Sequence, residues 1–250
     1  MSEASLPLNT PAEGRPMRQA PLRQRPLPPP EDEDDLYPAE DGEPMPDAHY
    51  QSRDFRYLVH ACELRCAEHP NAYVAGNQFV YYKEGDPKAV VAPDVWVAFD
   101  VRERPPATYK TWRQGKAPDF VMEVASPGTW RQDLNVKPGI YESMGVREYF
   151  LCDVGGAHLL EEPLLGFRRR RGVLEKVPTQ LIEGYLSLES EVLGMVFKVR
   201  GKEIRAYNAA TGERYPSGAE AVAQRDSARR ERDQALARLA ELEAQLDQRI

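Results

Sequence analysis

From Phe55 onward, the apolar positions Phe55, Leu58, Val59, Cys62 and Cys66 recur at three and four residues, which lays them on one helical face ending near Pro70. The pattern then changes. Residues 72–82 and 89–99 are rich in aromatic and branched side chains, and Glu84-Gly85-Asp86-Pro87 between them is a turn, which predicts two adjacent strands in a hairpin. Residues 102–116 are polar, carry Pro105 and Pro106, and read as an excursion. A short apolar strand over 120–125, interrupted by one acid, is stopped by Ser126-Pro127-Gly128-Thr129. A helical stretch to about Met144 follows, then a strand over 149–152 and a further pair around 165–177 and 192–205. Helix, strands, helix and strand in this order predict a mixed α/β arrangement.

The last thirty residues differ in kind. Ala228, Arg232, Ala235, Leu239, Leu242 and Leu246 alternate at four and three with charge elsewhere, a heptad-like helix. Its early core positions are alanine and arginine, so self-association through it alone is expected to be weak.

Composition changes the picture at the other end. Residues 1–36 hold eight prolines, with Pro38 just past them, and close on the acid run Glu31 to Asp35. Such a segment cannot bury enough apolar surface to offset its ordering entropy, and it reads as a disordered leader. Residues 1–50 carry four arginines against eleven acids, a charge of -7, equal to that of the whole 250-residue chain. Residues 51–250 are therefore neutral, and overall charge neither supports nor excludes a nucleic-acid partner. No stretch reaches the length of apolar residues that spans a bilayer. Three cysteines, Cys62, Cys66 and Cys152, fit a reducing compartment, and the cytoplasm is the expected location.

Chemistry concentrates in three positions. Glu123 sits mid-strand in Phe120-Val121-Met122-Glu123-Val124-Ala125, and period two sets Asp119, Val121, Glu123 and Ala125 on one side. A buried carboxylate there must meet a cation, a metal or water in a cleft. Asp94 lies in a second apolar run, directly after Pro93, which cannot donate to a ladder and marks a strand edge or bulge. If the two strands are neighbours, both acids can converge on one hard divalent cation. The plainer alternative is a pair of strand-end acids capping turns or bonded to arginine. Lys137 shares a three-and-four stripe with Trp130, Leu134, Tyr141 and Met144, which turns it inward, where it could stabilise a developing oxyanion or lie as a stem over the core.

Other groups point less sharply. Cys62, Cys66 and His69 share a helix face but no second cluster completes four zinc ligands, so buried thiols are expected. Ser126 has no histidine near in sequence to activate it, and His49, His60 and His158 give no metal spacing. Arg168 to Arg171 could contact phosphate or form a solvated strand edge. Lys110, Trp112, Arg113 and Lys116 are a comparable candidate for substrate contact.

The segments Ala92-Pro93-Asp94-Val95-Trp96-Val97, Gly115 through Pro127, Asp133 through Lys137, Tyr141 and Gly145-Val146-Arg147-Glu148-Tyr149 resemble, in this order, the Uma-type family of bacterial proteins described as putative restriction endonucleases, within the PD-(D/E)XK nuclease superfamily. Asp41-Gly42-Glu43-Pro44 resembles a family entry segment, and Tyr207-Asn208 with Thr211-Gly212-Glu213-Arg214 the family's exit; a coiled tail is similar too. The resemblance implies a restriction-endonuclease-like α/β (α+β) fold, a mixed central sheet flanked by helices, over residues 37–215, between the leader 1–36 and a heptad-like helix 216–250. It implies that Asp94 and Glu123, with the Val124 carbonyl, hold Mg2+, with Mn2+ as an alternative. The lysine usual two residues beyond the second acid is absent, since position 125 is alanine, and Lys137 lies where a migrated lysine would fall. Pro138 directly after it requires either that the helix begin there or that it kink. Glu63 or Glu68 could add an outer acidic ligand, as in some superfamily members. The expected function is a metal-dependent endonuclease acting on DNA as a homodimer, with a possible partner on the C-terminal helix. The alternative is a catalytically inactive module of the same fold that binds nucleic acid or a protein.

Overall fold

The computed structural model describes residues 37–39, 49–101, 107–154 and 159–247; the expected leader and the segment Asp41 to Pro44 lie outside them. The fold is mixed α+β, built on a six-stranded sheet: β1 (Tyr73–Ala75), β4 (Val95–Ala98), β6 (Phe120–Val124), β7 (Glu148–Cys152), β8 (Leu164–Arg170) and β9 (Val173–Val177), in that spatial order. Within this sheet only β6 and β7 run parallel, and they are joined by α3 (Trp130–Asn135) and α4 (Lys137–Met144), the crossover that a parallel pair requires.

Strand alternation divides this sheet into two faces. Phe120, Met122 and Val124 point to one, with Val95, Val97, Phe150 and Cys152. That face is covered by α1 (His49–Cys66), through Leu58, Ala61 and Cys62, and by a four-stranded antiparallel sheet of β10 (Gln180–Ile182), β11 (Tyr185–Ser190), β12 (Met195–Arg200) and β13 (Glu203–Asn208). Phe120 stacks on Phe197 across the sheets at 5.8 Å between ring centroids. Full burial of such a ring contributes about 1.5–3 kcal/mol. The three cysteines are free thiols in this layer.

Val121, Ala125, Trp96, Tyr149 and Leu151 point to the other face, against Trp130, Leu134, Tyr141 and Met144 of the crossover helices. A small sheet also covers it, made of β2 (Val80–Tyr81), β3 (Val90–Val91) and β5 (Tyr109–Lys110). After β5 the chain forms the single turn α2 (Thr111–Gln114), and the last helix is α5 (Gly218–Asp247).

Two expectations are corrected. The runs 72–82 and 89–99 are not one hairpin: each breaks in two, so that β1 pairs with β4 in the large sheet while β2 pairs with β3 in the small one. The first break falls at Gly76-Asn77, where Asn77 takes φ of 52°, and the second at Pro93, whose ring removes a ladder donor. The helix expected up to Met144 is likewise broken at Val136, leaving α3 and α4 as separate elements. Among the described residues, no helix is long and apolar enough to cross a membrane.

Candidate functional site

The antiparallel ladder between β4 and β6 ends at Val95 opposite Met122. Continued, it would set Asp94 opposite Glu123 and Pro93 opposite Val124, where proline has no N–H to give. Side chains close the gap instead. The Asp94 N–H donates to Glu123 Oε2 at 3.1 Å, and the Val124 N–H donates to Asp94 Oδ2 at 2.7 Å. Each acid thus holds the main chain of the other's strand, and both carboxylates stand at one fork on the face that carries Trp96 and Val121.

Glu123 is buried, and its Oε1 accepts two further hydrogen bonds, from Lys137 Nζ at 2.7 Å and from the Tyr141 hydroxyl at 2.6 Å. The inward stripe of Trp130, Leu134, Lys137, Tyr141 and Met144 explains why both donors arrive from α4. Pro138 does not turn Lys137 away: Lys137 is the first residue of α4, and the proline falls within its first turn. Lys137 Nζ is also 2.7 Å from Oδ1 of Asp133, a buried acid on α3. Tyr149 fixes that end of α3 by donating its hydroxyl to the Asp133 carbonyl at 2.7 Å.

Electrostatically the fork is short of positive charge, with three carboxylates, Asp94, Glu123 and Asp133, around one ammonium. Burial and then the nearby Glu123 push the Asp94 carboxyl up to about 8. Burial likewise raises Glu123, against the opposing pull of Lys137. Burial works against the charge on Lys137, but Glu123 and Asp133 outweigh it and hold the ammonium above the ordinary lysine range. The Tyr141 hydroxyl is raised well above its usual value by burial and by Glu123, so it donates and does not ionise.

The donor set fits a small, hard divalent cation. Asp94 is partly exposed, and its Oδ1 has no hydrogen-bond donor among the described residues. That oxygen, Glu123 and the Val124 carbonyl are all oxygen donors, and a cation there would offset the burial that raises both acids. Among the described residues no three His, Cys, Asp or Glu side chains are grouped to hold a metal ion, so a cation here would take its remaining ligands from water, as such cations prefer.

Several other expected residues lie elsewhere. Glu63 does not reach the fork, because α1 covers the opposite face of the sheet, and it faces His60 at 3.7 Å; Glu68 follows that helix and is exposed. Ser126 folds the loop before α3, its hydroxyl accepting the Thr129 N–H at 3.1 Å. Lys116 is committed to Asp119 Oδ2 at 2.6 Å and to the Phe99 carbonyl at 2.7 Å. Trp112 packs on Tyr37, and Lys110 lies 4.5 Å over the same ring. Of the arginine run, Arg168 pairs with buried Glu148 at 2.7 Å, while Arg169 donates to the Glu142 carbonyl at 2.6 Å. His158 lies outside the described residues.

Three further residues shape the site. Asp133 and Tyr141 touch the same ammonium and the same carboxylate that Lys137 and Glu123 supply. Tyr141 was visible as a stripe residue, and only the identity of the acid it faces was hidden. Gly76 is a third: a Cβ there would stand 2.6 Å from the Asp94 carbonyl oxygen and 2.5 Å from the Phe55 ring, so only glycine lets the β1 turn pass behind Asp94.

The sequence profile of the Uma2 family, described as "Putative restriction endonuclease", matches residues 28–200. Among solved structures, one of those similar to this chain is a crystal structure of "a putative nuclease belonging to DUF820" from Anabaena variabilis ATCC 29413. The two share 14% identity over 68% of this chain and 75% of that one, with a TM-score of 0.36. No curated protein matches.

Proposed function

This chain belongs to the Uma2 family of putative restriction endonucleases, and on that premise we propose that it is a metal-dependent endonuclease that hydrolyses phosphodiester bonds of DNA. The observation that carries the reading is the crossed pair of acids at the fork, with the Lys137 ammonium 2.7 Å from Glu123. Asp94, Glu123 and the Val124 carbonyl are the residues that would hold the cation, Mg2+ or Mn2+. When bound, the cation supplies Lewis acidity toward the phosphate and lowers the pKa of a coordinated water.

The rest is done by the chain itself. Lys137, kept protonated by Glu123 and Asp133, offers N–H donors to the charge that builds on the phosphate oxygens as water attacks. Asp133 fixes the direction of that ammonium, and Tyr141 holds the Glu123 carboxylate still. The crossed hydrogen bonds set the spacing of the two acids before any ligand arrives, which is the preorganisation that charge stabilisation requires. Residues 37–215 are taken as the nuclease-like domain, working in the cytoplasm as a homodimer. The rival reading is a module of the same fold whose Lys137-Pro138 region no longer supports hydrolysis; the 2.7 Å contact of Lys137 with Glu123 favours the nuclease.

The test is incubation of wild type, Asp94→Ala and Glu123→Ala with supercoiled and single-stranded DNA, in Mg2+, in Mn2+ and in chelator. Cleavage by wild type only, abolished by chelator and reduced about 10²–10³-fold in either folded variant, is expected. Full activity in either variant overturns the assignment. A folded, metal-binding wild type that cuts neither DNA replaces it with the binding module.

A further inference from the structure

Among the described residues, α5 is anchored at one end only. Ser217 and Glu220 form a reciprocal cap, Ser217 N–H to Glu220 Oε2 at 2.8 Å and Glu220 N–H to Ser217 Oγ at 3.3 Å, and Arg214 holds the same carboxylate at 2.8 and 3.1 Å. Beyond that cap the helix runs 30 residues, about 45 Å. Its apolar side chains stay in water: Val222, Leu236, Leu239 and Leu242 are each about half exposed. A lone helix gains little from intrinsic propensity, so this length implies that something covers the leucine stripe.

The shape of that stripe identifies its occupant. Arg225, Ala228, Arg229 and Arg232, at spacings of three and four, line a concavity on α5, the four-residue hole that accepts one side chain of a facing helix. Arg225 and Arg232, which occupy core positions of the heptad, bend back onto their own neighbours, Asp226 at 3.4 Å and Asp233 at 2.7 Å. Their charge is thereby compensated within the chain, and their stems are left to pack.

We infer that α5 pairs with α5 of a second copy in antiparallel orientation, in the register that sets Ala228 against Leu239. In that register Arg225 faces Leu242 of the second copy and Arg232 faces Ala235. The two-fold axis repeats each layer, as a self-complementary interface must. Leu239 then meets the small Ala228 and Leu242 meets the Arg225 stem, and Leu239 of the second copy enters the hole around Ala228. Charge agrees: Glu231 and Arg238 flank the seam and lie near each other's counterparts, Glu231 of one copy beside Arg238 of the other. A parallel pair would instead stack Arg225 on Arg225 and Arg232 on Arg232 with alanine on alanine between them, so that large would meet large and small would meet small.

The full-length protein tests this directly. Its mass by light scattering is expected near twice 28.3 kDa, falling to one copy in the double variant L239D/L242D with the thermal transition of the folded domain unchanged. Orientation is read by oxidation: A228C mixed with L239C forms a disulfide between copies, mapped by peptide mass spectrometry, while neither alone does. Cys62, Cys66 and Cys152 are buried and do not compete. A monomeric wild type, a dimer that survives L239D/L242D, self-linking of A228C, or a dimer in which the mixed pair fails to link would each overturn the proposal.

Discussion

Asp133 and Lys137 form an ion pair of 2.7 Å that bridges a break between two helices, Asp133 closing over the last turn of α3 and Lys137 opening α4. An i,i+4 pair in one continuous helix would lie along its surface. Here the break at Val136 lets the pair turn inward, so that the lysine reaches Glu123 as well.

Asp133→Asn is therefore expected to slow DNA cleavage with little change in KM. A roughly 10-fold fall in kcat, about 1.4 kcal/mol, is the scale for a looser ammonium. Because a buried charge pair is broken, stability falls too, by about 1–3 kcal/mol. Single-turnover kinetics beside thermal unfolding separates the two effects; a rise in KM at constant kcat would place Asp133 in substrate binding.

The metal-free protein has a predictable pH dependence. Below about pH 4 both folded and unfolded chains carry a protonated Asp94, and the site costs nothing. Between there and about 8 the unfolded chain loses the proton while the folded one keeps it, so stability falls across that window and levels off above it. Asp94→Asn removes this loss and should raise Tm by about 3–10 °C at pH 9 in chelator, with little effect at pH 4. In saturating Mg2+ the order reverses, since only wild type gains from binding.

Gly76→Ala places a methyl against the Phe55 ring and the Asp94 carbonyl. A loss of about 1–3 kcal/mol is the expected cost of overpacking, read from the urea midpoint. Displacement of Asp94 adds a weaker divalent-cation affinity in calorimetry. An unchanged affinity would mean that the strain is absorbed by Phe55 alone.

Glu148→Gln provides the contrast. Glu148 is fully buried on the other face and binds Arg168, the Ser190 hydroxyl and the Glu191 N–H. Neutralising it leaves Arg168 without its buried partner, at a cost of about 3–5 kcal/mol. Cation affinity of the folded protein should be untouched, so a coupled loss would reveal that the two faces communicate.

Periodicity made the two-sided character of β6 readable in advance, because Val121, Glu123 and Ala125 alternate with residues of a second apolar layer. It also placed Lys137 among Trp130, Leu134, Tyr141 and Met144. It could not place the breaks at Gly76-Asn77 and Pro93, since a strand that changes sheets keeps its composition. The expected strand over 192–205 is the hairpin β12–β13, and its partners β10 and β11 leave little pattern in the sequence because Gln180–Ile182 and Tyr185–Ser190 are short and half polar. Asp133 was hidden for a related reason: a single acid in Trp130–Asn135 looks solvated until the helix break turns it inward.

The corner where β4 and β6 part is fastened by carboxylates in place of main-chain carbonyls. The amides of Asp94 and Val124 therefore owe their shielding from solvent exchange to groups that a cation would also claim. Hydrogen–deuterium exchange at these two positions, set against the conventional ladder at Trp96 and Val121, becomes a reporter of occupancy that needs neither substrate nor turnover. A change at the fork with the ladder constant would mark ligand arrival, while equal changes at both would mark opening of the whole sheet.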